Sequence, residues 1–225
     1  MRRFLTWNSL SIAFLAIFLA TVFAQAIAGN AKYNNDAKAH HDSTISLGRY
    51  VTSSEFGQAV MENWQSEFLQ FSLYIFGTVW LIQKGSPESK KPGEQGVQSD
   101  QDQYVGQYAL AGSPSWAGAG GVRGWLYANS LLIVMGAIFL LSWLGQSVAG
   151  TVVASQEQVD HGLPPLTWVE YIGSADFWDR TLQNWQSEFL AVGCMVAFSI
   201  YLRQRGSSES KPVGAPHEAT AVGSE

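Results

Sequence analysis

The heptapeptide Asn63-Trp64-Gln65-Ser66-Glu67-Phe68-Leu69 returns letter for letter as Asn184-Trp185-Gln186-Ser187-Glu188-Phe189-Leu190, 121 positions further on. The same shift, without a gap, lays Asn8-Ser9-Leu10 on Asn129-Ser130-Leu131, Gln25 on Gln146 and Ala28-Gly29 on Ala149-Gly150. It also lays Glu88-Ser89-Lys90 on Glu209-Ser210-Lys211, and roughly a third of the aligned positions are identical. Self-similarity at one fixed period marks a duplicated unit. Any fold for this chain must be one that the unit can form twice.

Nine tryptophans and 47% hydrophobic residues coexist with a mean hydropathy of +0.02, because long apolar runs alternate with polar, Gly- and Ser-rich stretches. Four runs, 7–28, 64–82, 125–145 and 185–202, are long enough to cross about 30 Å of hydrocarbon at 1.5 Å per residue. Each opens on a tryptophan, as an aromatic belt requires. The expectation is an all-α membrane protein with four transmembrane helices, built as a tandem repeat of two-helix modules. Two spans per module return the chain to its starting side, so the modules are parallel repeats about a pseudo-twofold axis along the membrane normal. The first repeat covers 1–91 and the second 124–211. The Gly/Ser/Gln-rich stretch 92–123 reads as a flexible cytoplasmic linker and 212–225 as a disordered tail. A signal peptide is the competing reading of the first run, with Arg2-Arg3 before it and Ala24-Gln25-Ala26 near its end. The aligned third run carries Gly145-Gln146-Ser147 in mid-chain, where no cleavage is needed, so these small residues read as helix design.

Orientation follows from the basic residues. Arg2, Arg3, Lys84, Lys90, Lys91, Arg123, Arg203, Arg205 and Lys211 fall on one side of a four-pass chain, and only Lys32, Lys38, Arg49 and Arg180 on the other. Both termini are therefore placed in the cytoplasm. The net charge of −5 sums over two faces and gives no support for nucleic-acid binding. Cys194 is the one cysteine, which excludes an intramolecular disulfide and reads as an apolar filler in the fourth run.

Between the spans lie exported segments of about 35 residues. Thr52-Ser53-Ser54-Glu55 has capping-box spacing, with Phe56, Val60 and Trp64 following at helical intervals, and Ser174, Phe177 and Trp185 repeat the arrangement. Two readings stand: a short amphipathic surface helix that bends into the span, or an extension of the span itself. Ala16, Ala20, Ala24 and Ala28, with Ala137, Gly145 and Ala149 in the third run, have the four-residue spacing of a close-packing seam.

Candidate chemistry centres on Glu67 and Glu188, which a full-length span draws to the outer membrane boundary. Asn63 and Asn184 precede them by one helical turn, and Gln25 and Gln146 lie at the same depth in the other spans. These six make a candidate polar or ion site. The alternative is that each glutamate caps the first turn of its helix, where the dipole favours a negative charge. Trp64 and Trp185 read as interface anchors. Asn8-Ser9 and Asn129-Ser130 read as helix starts or interhelical hydrogen-bonding groups. His40 and His161 align, each near an aspartate (Asp42, Asp160), but exposed loop histidines of unspecified geometry do not define a site, and no metal is assigned. Nothing matches a nucleophile elbow, phosphate loop, HExxH or haem motif, so no enzyme activity or cofactor is expected.

The Asn184–Leu190 motif, the Gln204-Arg-Gly-Ser-Ser-Glu-Ser-Lys211 stretch and His161-Gly162-x-Pro164-Pro165 leading to Tyr171 resemble an uncharacterised family of bacterial integral-membrane proteins, a domain of unknown function. The resemblance covers the chain outside the linker and implies a bacterial inner membrane but no activity. The first module departs from the pattern: it keeps His40 and Tyr50 but lacks His-Gly-x-Pro-Pro. The expected role is a structural or interaction module of the inner membrane. Its partners would be the lipid bilayer and other membrane proteins or a second copy. The alternative is a proton- or cation-transport protein using Glu67 and Glu188.

Overall fold

The computed structural model describes residues 2–222. Among them every regular element is helical, with no strand. The helices are α1 (Arg2–Trp7), α2 (Ser9–Ala39), α3 (Leu47–Tyr50) and α4 (Ser54–Trp80), then α5 (Gly121–Ala128), α6 (Ser130–Asp160), α7 (Trp168–Ile172) and α8 (Ala175–Tyr201). Helices α2 and α6 are both 31 residues long, α4 and α8 both 27, and their bounds lie 121 positions apart.

Two helices, α2 and α6, are long and apolar enough to cross a membrane, with mean hydropathies of 2.3 and 2.0 over their most apolar stretches. Helices α4 and α8 have the length, about 40 Å at 1.5 Å per residue, but their first halves carry Glu55, Glu62 and Asn63, or Asp176, Asp179 and Arg180. Helix α2 does not stop near Ala28, nor α6 near Gly145. Residues 29–39 include three alanines and two lysines, and 150–160 two glutamines, a glutamate and an alanine, good helix formers that let each helix continue past its apolar run. The connections shrink accordingly to 40–53 and 161–174, shorter than the 35 residues expected.

Of the two readings for the segments before Trp64 and Trp185, continuous helix is what forms. Ser53 Oγ accepts the Phe56 N–H at 3.3 Å and Ser174 Oγ the Phe177 N–H at 3.2 Å. The capping residue is thus Ser53 rather than Thr52, whose hydroxyl turns back to the Arg49 carbonyl at 3.0 Å. Asn8 and Asn129 break each long helix from the short one before it. In both, the side-chain Nδ2 donates to the carbonyl four residues back, Phe4 or Trp125, at 2.8 Å. A local bond therefore accounts for these asparagines.

The chain divides into two compact units, the residues up to Met61 with Gly145–Ile172, and Glu62–Leu144 with Gly173 onward. In the first, the rings of Tyr50 and Tyr171 lie close over glycines. A Cβ on Gly29 would stand 2.9 Å from Tyr50 Cε1, and one on Gly150 would stand 2.7 Å from Tyr171 Cε1. Only glycine admits so close a ring. Gln58 Nε2 donates to Tyr171 Oη at 3.3 Å, inside a site where Tyr171 is fully buried. Part of the small-residue seam is present here: a Cβ on Gly145 would meet Met61 at 3.1 Å, and one on Gly57 would meet Ala149 at 3.8 Å. Ala16, Ala20, Ala24 and Ala28 are exposed instead, and the buried alanine of α2 is Ala26. The seam expected on that helix is thus not packed, since none of the described residues covers that face.

The second unit is organised around Trp143, whose ring meets Phe177, Trp178 and Trp185 with centroids 6.0–6.2 Å apart. Aromatic pairs at these spacings add about 0.5–1.5 kcal/mol beyond burial. Between α4 and α5 the chain runs through turns and two short 3-10 segments, Gly106–Tyr108 and Ser115–Gly118.

Candidate functional site

Of the six polar residues that stand out in the sequence, Asn63, Glu67, Asn184 and Glu188 belong to the second unit, and Gln25 and Gln146 to the first. Glu67 is exposed and Glu188 half-buried, near enough for their charges to interact. Asn184 Nδ2 is engaged by the Arg180 carbonyl at 2.8 Å. The indole N–H of Trp185 donates to Gln65 Oε1 at 2.7 Å, and Gln65 is fully buried. The two loop histidines serve their own helix ends, with His40 Nδ1 against the Asp36 carbonyl at 2.9 Å and His161 Nδ1 against the Glu157 carbonyl at 2.7 Å. Such bonds satisfy carbonyls that a helix terminus leaves free. No cluster of potential metal ligands occurs among the described residues.

A different pair of carboxyl groups is brought into contact. The segments after α4 and α8, Gln-Lys-Gly-Ser-Pro-Glu-Ser-Lys90 and Gln-Arg-Gly-Ser-Ser-Glu-Ser-Lys211, fold into the same loop. Ser89 Oγ accepts the Gln83 N–H at 2.8 Å and Ser210 Oγ the Gln204 N–H at 2.9 Å. Ser86 and Ser207 then accept the N–H groups of Glu88 and Glu209 at 3.3 and 3.2 Å. Each loop turns on a glycine in the left-handed region, Gly85 at φ 91° and Gly206 at φ 83°. These serine-held turns fix Glu88 and Glu209, whose side chains come close enough to interact. The Tyr74 hydroxyl of α4 donates to Glu88 as well.

Burial holds the Glu88 carboxyl above the usual carboxylate range; the Tyr74 hydrogen bond works against this and the Glu209 carboxylate adds to it. The basic residues beside the pair are occupied: Lys84 binds Glu218 at 2.8 Å and Lys90 Nζ donates to the Gly96 carbonyl at 2.6 Å. The C-terminal segment lies on the same loop. Lys211 Nζ donates to the carbonyls of Gly85 and His217 at 2.6 and 2.9 Å, Thr220 Oγ1 accepts the Gly85 N–H at 2.8 Å, and the Ala221 N–H reaches the Ser86 carbonyl at 3.1 Å.

The repeat aligns Glu88-Ser89-Lys90 with Glu209-Ser210-Lys211, but the sequence alone assigns them no role. A signal exists all the same: glutamates at equal distance after both helix ends, each set between serines. Compared with known families, the chain matches over residues 1–222 the model of a domain of unknown function, DUF6766, and belongs to that family. No curated protein and no solved structure matches it.

Proposed function

Starting from membership in that family of unknown function, we propose that the protein is a multi-pass membrane protein whose role is structural, holding or docking other components of the bilayer. The observation that carries this is the surface of α6. Only 17% of its most apolar stretch is buried, and Leu131, Leu140, Leu141 and Val152 are each more than half exposed. The core helix of a water-soluble protein would be covered, and a signal sequence would lie at the N-terminus; α6 is neither. Helix α2 is barer still, with 6% buried. Left in water, two such helices would present apolar patches far beyond the few hundred Å² that monomers tolerate.

On this reading α4 and α8 supply the second and fourth spans through their apolar C-terminal halves, making two two-span modules in tandem. The equal lengths and the 121-residue spacing of the helices support the duplication. The family resemblance implies a bacterial inner membrane, and the basic-residue asymmetry favours both termini in the cytoplasm. Partners are the bilayer and other membrane proteins or a second copy, and no catalytic step is assigned. Transport through Glu67 and Glu188 ranks below this, because Glu67 is exposed.

Carbonate washing and cysteine labelling test the proposal. The protein should stay in the carbonate-washed membrane fraction; release into the wash would refute spanning. In a Cys194→Ala background, a membrane-impermeant maleimide applied to intact cells should label Lys38→Cys and spare Gln98→Cys, and the reverse would overturn the orientation.

A further inference from the structure

The second unit contains a cavity of about 410 Å³, within the 300–1,000 Å³ typical of small-molecule sites. Leu73, Leu81, Ile82, Phe189, Val192 and Val196 form its apolar wall. Its polar groups come from α4 (Gln70, Tyr74 and Thr78) and the loop after it (Gln83, Ser86, Glu88 and Ser89), and Glu88 is the one charged group among them. Glu88 is thus at once a wall of the cavity and one half of the close carboxyl pair. An apolar chamber with its fixed charge confined to one edge is complementary to a molecule divided in the same way.

We infer that this cavity binds a monocationic amphiphile: an aromatic or aliphatic body against Leu73, Phe189 and Val192, and one ammonium head at the Glu88–Glu209 pair. Charge complementarity selects the head. Glu88 on the cavity wall, with Glu209 beside it, offers carboxylate acceptors, and the ammonium brings a compensating charge with N–H donors. Neither Lys84 nor Lys90 supplies that charge, since each is engaged elsewhere. A neutral body would leave the carboxylate uncompensated and an anionic one would be repelled, so the site discriminates by sign. A bare divalent cation would want six or more oxygen ligands and no apolar wall. The inference deepens the membrane reading, because an amphiphile is delivered through lipid, but binding itself does not depend on topology.

The test uses the full chain in phosphatidylcholine nanodiscs, titrated with N-dansyl-1,5-diaminopentane and with its uncharged N-acetyl derivative. Empty nanodiscs give the partition background. The amine should bind saturably and about tenfold or more tighter than the neutral compound. Glu88→Gln, close in size, should reduce the amine to the level of the neutral compound, and Val192→Trp, which fills the chamber, should remove saturable binding of both. Equal affinity for the two probes, or wild-type amine binding by Glu88→Gln, would overturn the assignment of the head. Saturable binding that survives Val192→Trp would overturn the cavity. Size exclusion and helical circular dichroism check folding, with Glu209→Gln as substitute should Glu88→Gln misfold. Carbonate release would sink the membrane reading alone, because the nanodisc titration does not report on it.

Discussion

Gly150→Ala sets a helix preference against a steric limit, and the structure decides between them. In an exposed helix interior the change should stabilise by about 1 kcal/mol. At Gly150 the new Cβ would lie 2.7 Å from Tyr171 Cε1 and Cζ, where ordinary carbon contacts need about 3.5 Å. The Cβ is fixed to the α6 backbone and Tyr171 is fully buried, so the ring has to move by most of that deficit. Overpacking of this kind costs about 1–3 kcal/mol, and displacing Tyr171 Oη forfeits the Gln58 hydrogen bond, about 1 kcal/mol more. With the helix gain subtracted, the net loss is about 2 kcal/mol, which for a chain of this size is roughly 4–8 °C in Tm. Gly136→Ala, on the same helix but where the added methyl would project into open space, serves as the control and should be neutral or stabilising. Circular dichroism melts in one detergent compare the variants. A Gly150→Ala melt within about 1 °C of wild type, or one that follows Gly136→Ala, would refute the steric argument.

Two further outcomes are expected. Trp185→Phe removes the donor to Gln65 Oε1 and should cost about 1–3 kcal/mol. Because Gln65 Nε2 finds no hydrogen-bond partner among the described residues, adding Gln65→Met should recover most of the loss, and a double variant as unstable as the single one would contradict this. Glu88 is held above its ordinary value, so its contribution favours the folded state in acid. That contribution should be complete below about pH 4.5 and fade as pH rises through the raised folded value. Melts from pH 4 to 8 should therefore show a decline that Glu88→Gln flattens; identical pH profiles would count against a raised Glu88.

The helices are legible in the sequence because the signals for them are local. Apolar runs, serine caps and the 121-residue period place α2, α4, α6 and α8, and the departures fall at their ends, where more polar residues carry helix beyond the apolar limit. The carboxyl pair is harder to read. Glu67 and Glu188 stand out in sequence because an acid inside an apolar run is unusual, whereas Glu88 and Glu209 sit among serines and lysines and resemble any solvated loop. What separates them is a set of side-chain-to-backbone bonds from Ser86, Ser89, Ser207 and Ser210, which has no hydropathy signature. Tyr171 reads in sequence only as the end of a loop motif, since its partner Gly150 lies in another helix and their approach is a tertiary fact.

The two identical heptapeptides do not live in identical surroundings. Gln65 and Ser66 are buried, while Gln186 and Ser187, their letter-for-letter counterparts, are exposed. Selection therefore acts unequally on the same seven letters. Drift at Gln186 or Ser187 meets solvent or lipid and is cheaply tolerated, whereas drift at Gln65 or Ser66 meets packed neighbours. Among descendants of this sequence the first heptapeptide should be the slower clock at these two positions.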